Sequence, residues 1–371
     1  MVRGMRRELA FSLAGLTAGA GQTCWVGTLT PELCCTPPSR GNSGCWDGDY
    51  TYDRCCRNAD DIKVSESVEN LKMDVTSIPL LPLMDGGKMP QAGLGLCCRK
   101  SAVGEAARQA VVDYLVMGGR LLDDAMVYNN HREVGQGVRD ALTLGVAREE
   151  IFLVTKIWHG DFGFEKTTAW IDTMLGQLGL HYVDLVLLHS PKVDERLPCG
   201  EPRACRQETW LALQRAQRKG QIRHLGVSNF GPRQLQQLID LGGSAPVVNQ
   251  IEFHPWVPEI HRLTASWCQS RGIIVTAYGS MGSDRFARSL MNDVNLKRIA
   301  DGHARTVGQV LLRWAVQKGV VVIPGTSNPI HMAENLRVFD FQLAEEEMHW
   351  LDAVPEEGRN LAFGHVPDSN P

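Results

Sequence analysis

Tyr182-Val183-Asp184-Leu185-Val186-Leu187-Leu188-His189 is apolar from Val183 to Leu188 but for one aspartate, and it closes on a histidine. An apolar run that does not alternate suits a strand buried on both faces, as in a parallel sheet. Seven similar runs flank it: Ala92–Gly95, Leu121–Leu122, Ile151–Thr155, Leu225–Val227, Val247–Ile251, Ile273–Ala277 and Val320–Ile323. Helical patterns separate them. Ile171, Met174, Leu175 and Leu178 fall at i, i+3, i+4 and i+7, and Gly179 follows as a stop. Val307, Val310, Leu311, Trp314 and Ala315 repeat the stripe, with Gly319 as the stop. Eight strand–helix units over residues 78–355 predict an α/β fold, a (β/α)8 or TIM barrel, rather than an open doubly wound sheet. No G-x-G-x-x-G follows the first run, which also argues against the open dinucleotide-binding fold. Ahead of that run, Leu80 to Met89 contains Asp85-Gly86-Gly87, read as a hairpin that plugs the bottom of the barrel.

In such a barrel the chemistry sits at the C-terminal ends of the strands. The second run ends in Asp123, with Tyr128 five residues on; the third ends in Lys156 and the fourth in His189. Neighbouring strands let these four converge. Tyrosine, with an ordinary pKa of ~10, is a weak acid at neutral pH. A nearby ammonium is expected to lower that value, and a carboxylate beside the lysine keeps the lysine charged. Such a tyrosine can protonate an oxygen on which negative charge develops, while a histidine orients that oxygen. The set suits reduction of a carbonyl by hydride. No side chain supplies a hydride, so a cofactor is required.

The 371 residues are 43% hydrophobic and 22% charged, with a net charge of −4. That is an ordinary globular composition, and it gives no electrostatic case for nucleic acid or an anionic membrane. No apolar run reaches the ~18 residues of a membrane-spanning helix.

Six of the eleven cysteines lie between Cys24 and Cys56. Residues 1–20 carry Arg3, Arg6 and Arg7, an apolar stretch Leu9–Leu16 and Ala18-Gly19-Ala20, the layout of a secretory or targeting signal. Residues 21–57 hold a tandem repeat, C-W-x-G-x-x-T-x-x-x-C-C, from Cys24 to Cys35 and from Cys45 to Cys56. A disulfide framework and a metal cluster both stay open. Disulfides are favoured, because the segment has no histidine and adjacent cysteines suit a tetrahedral site poorly. Residues 58–77 read as a linker, and Glu356–Pro371 as a C-terminal tail or flap.

The barrel segment resembles the aldo-keto reductases over about residues 78–355. Leu121-Leu122-Asp123-Asp124-Ala125-Met126-Val127-Tyr128 is similar to the family's I-D-T-A-x-x-Y, with Val134-Gly135 at its following V-G. Ile151–Lys156 resembles its third strand, Tyr182–His189 its Y-x-D-L-x-L-x-H, and Ile222–Phe230 its I-R-x-I-G-V-S-N-F. The resemblance implies Tyr128 as general acid, Lys156 and Asp123 as its partners, and His189 at the substrate carbonyl. It implies Ser228, Asn229 and Gln250 at the nicotinamide carboxamide, Tyr278 stacked on the ring, and Glu334 and Asn335 near the adenine. It assigns no metal.

Departures bear on the cofactor. The family's I-P-K-S, with an arginine six residues after the lysine, holds the 2′-phosphate of NADPH. Here the loop is Ile323-Pro324-Gly325-Thr326-Ser327, and His331 takes the arginine position. Gly325 offers no cation, and His331 is only partly charged near neutral pH. The hydroxyls of Thr326 and Ser327 are weaker substitutes. NADPH is favoured, and NADH stays open. At the pocket, Cys97 replaces the family's aromatic wall, and Trp158 and Trp256 are candidate pocket aromatics. Cys199 and Cys205 could pair in an oxidising compartment.

The expected function is reduction of an aldehyde or ketone by an NAD(P)H-dependent enzyme, a monomer, acting on a small-molecule substrate. The alternative is a non-catalytic NAD(P)-binding scaffold acting through the cysteine repeat. The signal and the repeat point to the secretory pathway or an organelle lumen, with the cytoplasm as the alternative.

Overall fold

Short apolar runs form the strands of one parallel sheet, and the chain lays them down in order. In the computed structural model, which describes residues 68, 71–72, 78–282, 289–354, 361 and 364–369, a hairpin comes first. Strands β1 (Leu80–Pro82) and β2 (Lys88–Pro90) pair antiparallel around Asp85-Gly86-Gly87. Then come β3 (Gly93–Gly95), α1 (Gly104–Val116), β4 (Leu121–Asp123), α2 (His131–Thr143), β5 (Phe152–Ile157), α3 (Phe164–Leu178) and β6 (Val183–Leu188). The second half runs α4 (Pro202–Arg218), β7 (Ile222–Ser228), α5 (Pro232–Ile239), β8 (Val248–Glu252), α6 (Glu259–Gln269) and β9 (Ile274–Tyr278). It ends with α7 (Val294–Gly302), α8 (Val307–Gln317), β10 (Val321–Val322), α9 (Pro329–Leu336) and α10 (Glu345–Asp352).

Strands β3 to β10 are hydrogen-bonded neighbours in chain order, all parallel. The ends of that row meet. Ala92 bridges Val322, Val322 N–H donates to the Gln91 carbonyl at 3.0 Å, and Gly95 N–H donates to the Pro324 carbonyl at 3.1 Å. The expected (β/α)8 barrel is therefore present. All eight expected strands occur, but the third runs two residues further than read, so Lys156 lies within β5 rather than at its edge. The fifth starts three residues earlier, at Ile222.

Alternation along each strand separates two apolar sets. Leu121, Val154, Leu185, Leu187, Val248, Val321 and Ile323 form a cluster with Leu83 and Met89 of the hairpin. That is the barrel interior, and the hairpin fills its lower end as expected. Leu122, Leu153, Val186, Leu188, Leu225 and Val275 belong to the second cluster, shared with helix residues such as Ile171, Met174, Leu178, Val310, Leu311 and Trp314. Burial of both sets explains why the strands read as continuous runs. Gly179 caps α3 at φ +62°, a left-handed conformation that glycine adopts without cost. Thr306 caps α8, accepting from Gln309 N–H at 3.2 Å.

Two motifs quoted above are structural. In Tyr182-Val183-Asp184, the buried Asp184 carboxylate accepts from Arg148 at 2.8 Å, Arg223 at 3.0 Å and Leu153 N–H at 3.0 Å. Both guanidinium groups sit 4.0 Å from the Tyr182 ring centroid. In Val134-Gly135, a methyl group on Gly135 would collide with the Leu178 backbone, so α2 meets α3 at a distance only glycine allows. Gly135→Ala is expected to cost about 1–3 kcal/mol, since backbone and not a flexible side chain must give. A urea-unfolding midpoint equal to wild type would refute that close approach.

The chain parts into two units, Met1–Lys63 and Val64–Pro371, and every described residue belongs to the second. The signal expected at residues 1–20, the repeat at 21–57 and almost all of the linker at 58–77 lie outside the described residues. No helix among the described residues is long and apolar enough to cross a membrane. Part of the tail is described. Arg233, in the first turn of α5, donates to the Asp368 carbonyl at 2.8 Å, and His261 of α6 bonds the His365 carbonyl at 2.8 Å. Residues His365 and Asp368 thus lie against helices α6 and α5.

Candidate active site

Inward-facing positions continue to the upper end of each strand, and there the residues turn polar. Two positions beyond interior Leu121, Val154, Leu187 and Val248 stand Asp123, Lys156, His189 and Gln250. The period of two along a strand therefore aims all four into one space. Tyr128 arrives differently. It closes a 3-10 turn, Met126–Tyr128, and Asn129 turns the chain at φ +56°. Buried Asn130 then donates to the Leu96 and Ala102 carbonyls at 3.0 and 2.8 Å, pinning this turn to the loop after β3.

Lys156 is the hub. Its fully buried ammonium donates to Asp123 Oδ1 at 2.6 Å, to the Asp124 carbonyl at 3.0 Å and to the Tyr128 hydroxyl at 3.1 Å. Burial works against its charge, but Asp123 and Tyr128 outweigh that and raise its pKa above the ordinary lysine value. The other oxygen of Asp123 accepts from Gln250 Nε2 at 2.7 Å. Gln250, expected at the cofactor's carboxamide, here steadies the carboxylate.

The phenol of Tyr128 departs from expectation. Burial raises its pKa above the ordinary value, and the Lys156 cation offsets this only in part. Loss of hydration around the hydroxyl disfavours phenolate more than one ammonium favours it. Burial, then the Lys156 charge, push His189 down to about 2, so its imidazole is neutral. The Tyr128 and Trp158 rings meet His189 edge-on, with centroids 5.7 and 5.0 Å away.

Ser228, Asn229 and Tyr278 form a hydrogen-bonded chain beside this group. The Tyr278 hydroxyl donates to Asn229 Oδ1 at 2.7 Å, and Asn229 Nδ2 donates to the His189 carbonyl at 3.0 Å and to Ser228 Oγ at 3.1 Å. Asn229 holds φ +65°, which carries its amide from the end of β7 toward Tyr278. Cys97 stands next to Leu96, whose N–H bonds the Asp123 carbonyl at 2.9 Å; its sulfur lies against that of Cys98. The Trp256 ring lies 6.3 Å from the His254 ring and packs, partly buried, against the outer core. Thr326, Ser327, Glu334 and Asn335 are grouped on the loop after β10 and on α9, at the rim. Cys199 and Cys205 have Cα atoms 5.1 Å apart, within the span of a disulfide.

A strand-by-strand reading missed Asp124 and His131. Both are buried, 3.3 Å apart, with His131 Nε2 3.0 Å from Thr155 Oγ1. Burial pushes Asp124 up to about 8 and His131 down to about 4, which favours the neutral form of each. Asp123 is then the carboxylate that balances Lys156. The doubled Asp123-Asp124 was the available signal.

A charged lysine on a protonated phenol, with a neutral imidazole opposite, is an arrangement that can give up a proton at the barrel rim. The Aldo/keto reductase family model matches residues 99–356. The chain belongs to the aldo-keto reductase family. It is 38% identical to a 9,11-endoperoxide prostaglandin H2 reductase of Trypanosoma cruzi over 282 residues, 76% of this chain and 92% of that protein. It is 35% identical to a glyoxal reductase of Bacillus subtilis, over 77% of this chain and 95% of that protein. Among solved structures, an aldo-keto reductase of Bombyx mori in complex with NADP superposes with a TM-score of 0.70 at 33% identity, covering 76% of this chain and 94% of that one. This aldo-keto reductase is accordingly an oxidoreductase.

Proposed function

We propose that this aldo-keto reductase reduces an aldehyde or ketone to an alcohol with a nicotinamide cofactor, Tyr128 giving the proton. The observation that carries the reading is the 3.1 Å bond from buried Lys156 to the Tyr128 hydroxyl, with the other arm of the same ammonium on Asp123 at 2.6 Å.

The residues present fit the cofactor. Ser228 and Asn229 offer a hydroxyl and an amide for a carboxamide, and Tyr278 beside them offers a ring face. Thr326, Ser327, Glu334 and Asn335 would meet the adenosine end. When bound, the cofactor would supply a hydride to the carbonyl carbon. NADPH is the favoured donor, with NADH second; the relative bound to NADP supports that order.

The chain's own residues handle the oxygen. Tyr128 donates its proton to the carbonyl oxygen as charge builds there. The phenolate left behind is met at once by the Lys156 ammonium, which costs no reorganisation because it is already in place. His189, being neutral, can hydrogen-bond the same oxygen. Residues 1–20 and the cysteine repeat support placing the enzyme in a lumen.

The experiment uses the purified full chain and a panel of aromatic and aliphatic aldehydes, following oxidation of NADPH and, separately, NADH. Turnover with at least one carbonyl is expected. Cofactor binding with no turnover on the whole panel would instead support a non-catalytic scaffold. The pH profile has a stated sign. The acid form of Tyr128 is the active one, and burial raises its pKa above the ordinary phenol value. The rate constant for carbonyl reduction is expected to stay level through neutral pH and to fall only in strong alkali. A fall already at or below neutral pH would assign the proton to another group.

A further inference from the structure

Gly325 follows the last barrel strand and contributes no charge, yet its surroundings are not neutral. The guanidinium of Arg99, from the loop after β3, lies directly over it. A methyl group built on Gly325 would collide with Arg99 Nη1 and stand 2.8 Å from Arg99 Cζ. The first and last strands are neighbours around the barrel, so residues 226 positions apart share one corner of the rim. Arg99 is held there by its own loop, donating from Nη2 to the Gly95 carbonyl at 3.1 Å and from Nη1 to the Cys97 carbonyl at 3.3 Å. The same corner carries the hydroxyls of Thr326 and Ser327. It also carries the start of α9, where Asn328 caps Ile330 N–H at 3.0 Å. In barrels of this kind the loop after the last strand and the start of the following helix are a frequent phosphate site.

We propose that Arg99 supplies the cation for the phosphate on the adenosine ribose of the cofactor, and so sets a preference for the phosphorylated form. This rests on the nicotinamide-cofactor reading above. Gly325 and Arg99 are then one device. The glycine leaves the space, and an arginine from across the closure of the barrel fills it with charge. A guanidinium suits this task, because its planar fork pairs two phosphate oxygens at once and stays charged at every physiological pH.

The test measures dissociation constants of NADP+ and NAD+ by calorimetry, alongside the ratio of kcat/KM for NADPH over NADH. Wild type is expected to bind NADP+ the more tightly. Arg99→Ala is expected to weaken NADP+ by about 10- to 100-fold more than it weakens NAD+, the range for a hydrogen bond to a charged group. Arg99→Lys should recover part of the difference, and Gly325→Lys in the Arg99→Ala background should restore it, since the space is then open. Equal weakening of both cofactors would mean that Arg99 only shapes the loop, and overturns the proposal. So would a wild type that binds the two equally, although that result leaves the nicotinamide reading intact. Binding of neither by wild type would overturn both.

Discussion

Tyr128→Phe lowers kcat for carbonyl reduction by about 100- to 10,000-fold, the range for loss of a general acid. The substitution removes one oxygen and little else. The ring keeps its edge-on contact with His189 at 5.7 Å, and the 3-10 turn that places it is made by backbone. Lys156 keeps Asp123 and the Asp124 carbonyl as acceptors, so the ammonium stays put. What disappears is the hydroxyl proton held beside the Lys156 ammonium. Cofactor affinity, read from quenching of tryptophan fluorescence, should change little. A variant turning over within tenfold of wild type would pass the role to His189 or to water.

The second large effect is expected from Lys156→Met, and it has two parts. Catalysis falls at least as far as in Tyr128→Phe, because the cation that receives the phenolate is gone. Folding stability falls as well. Asp123 and Lys156 are both buried, and deleting one partner leaves the other charge uncompensated, at a cost of about 3–5 kcal/mol. Gln250 still donates to Asp123, but an amide does not replace an ammonium. Adding Asp123→Asn to Lys156→Met should recover most of the stability and none of the activity. Denaturant midpoints for the single and double variants, with activity measured beside them, separate the two parts. A single variant as stable as wild type would show that the pair is not held as a buried ion pair.

The sequence made the strands legible because burial on both faces writes them as unbroken apolar runs, as at Val183–Leu188. It made Asp123, Lys156 and His189 legible because each ends or nearly ends such a run. The boundaries were less clear. Lys156 read as the end of its strand, yet Ile157 continues the pairing with Leu188. The direction of the Tyr128 shift was not legible at all, since spacing reveals a neighbouring charge but not the depth of burial that outweighs it. Gln250 could be placed in the site, but not on Asp123. Arg99 was invisible for a different reason. Its meaning depends on Gly325, and only closure of the barrel brings β3 and β10 together. Asp124 and His131 were hidden because a buried polar pair shows no periodicity.

That closure also sets a timetable for synthesis. The side chain of Gln91 donates to the Val316 and Val320 carbonyls at 2.9 and 3.3 Å, across 225 and 229 positions of chain. At roughly 5–20 residues per second, a ribosome needs on the order of 10–50 s to travel from one partner to the other. During that interval the seam edge of β3 has no strand to meet. The ring therefore cannot close until the segment of β10 has been made, and the β3 edge waits unpaired until then.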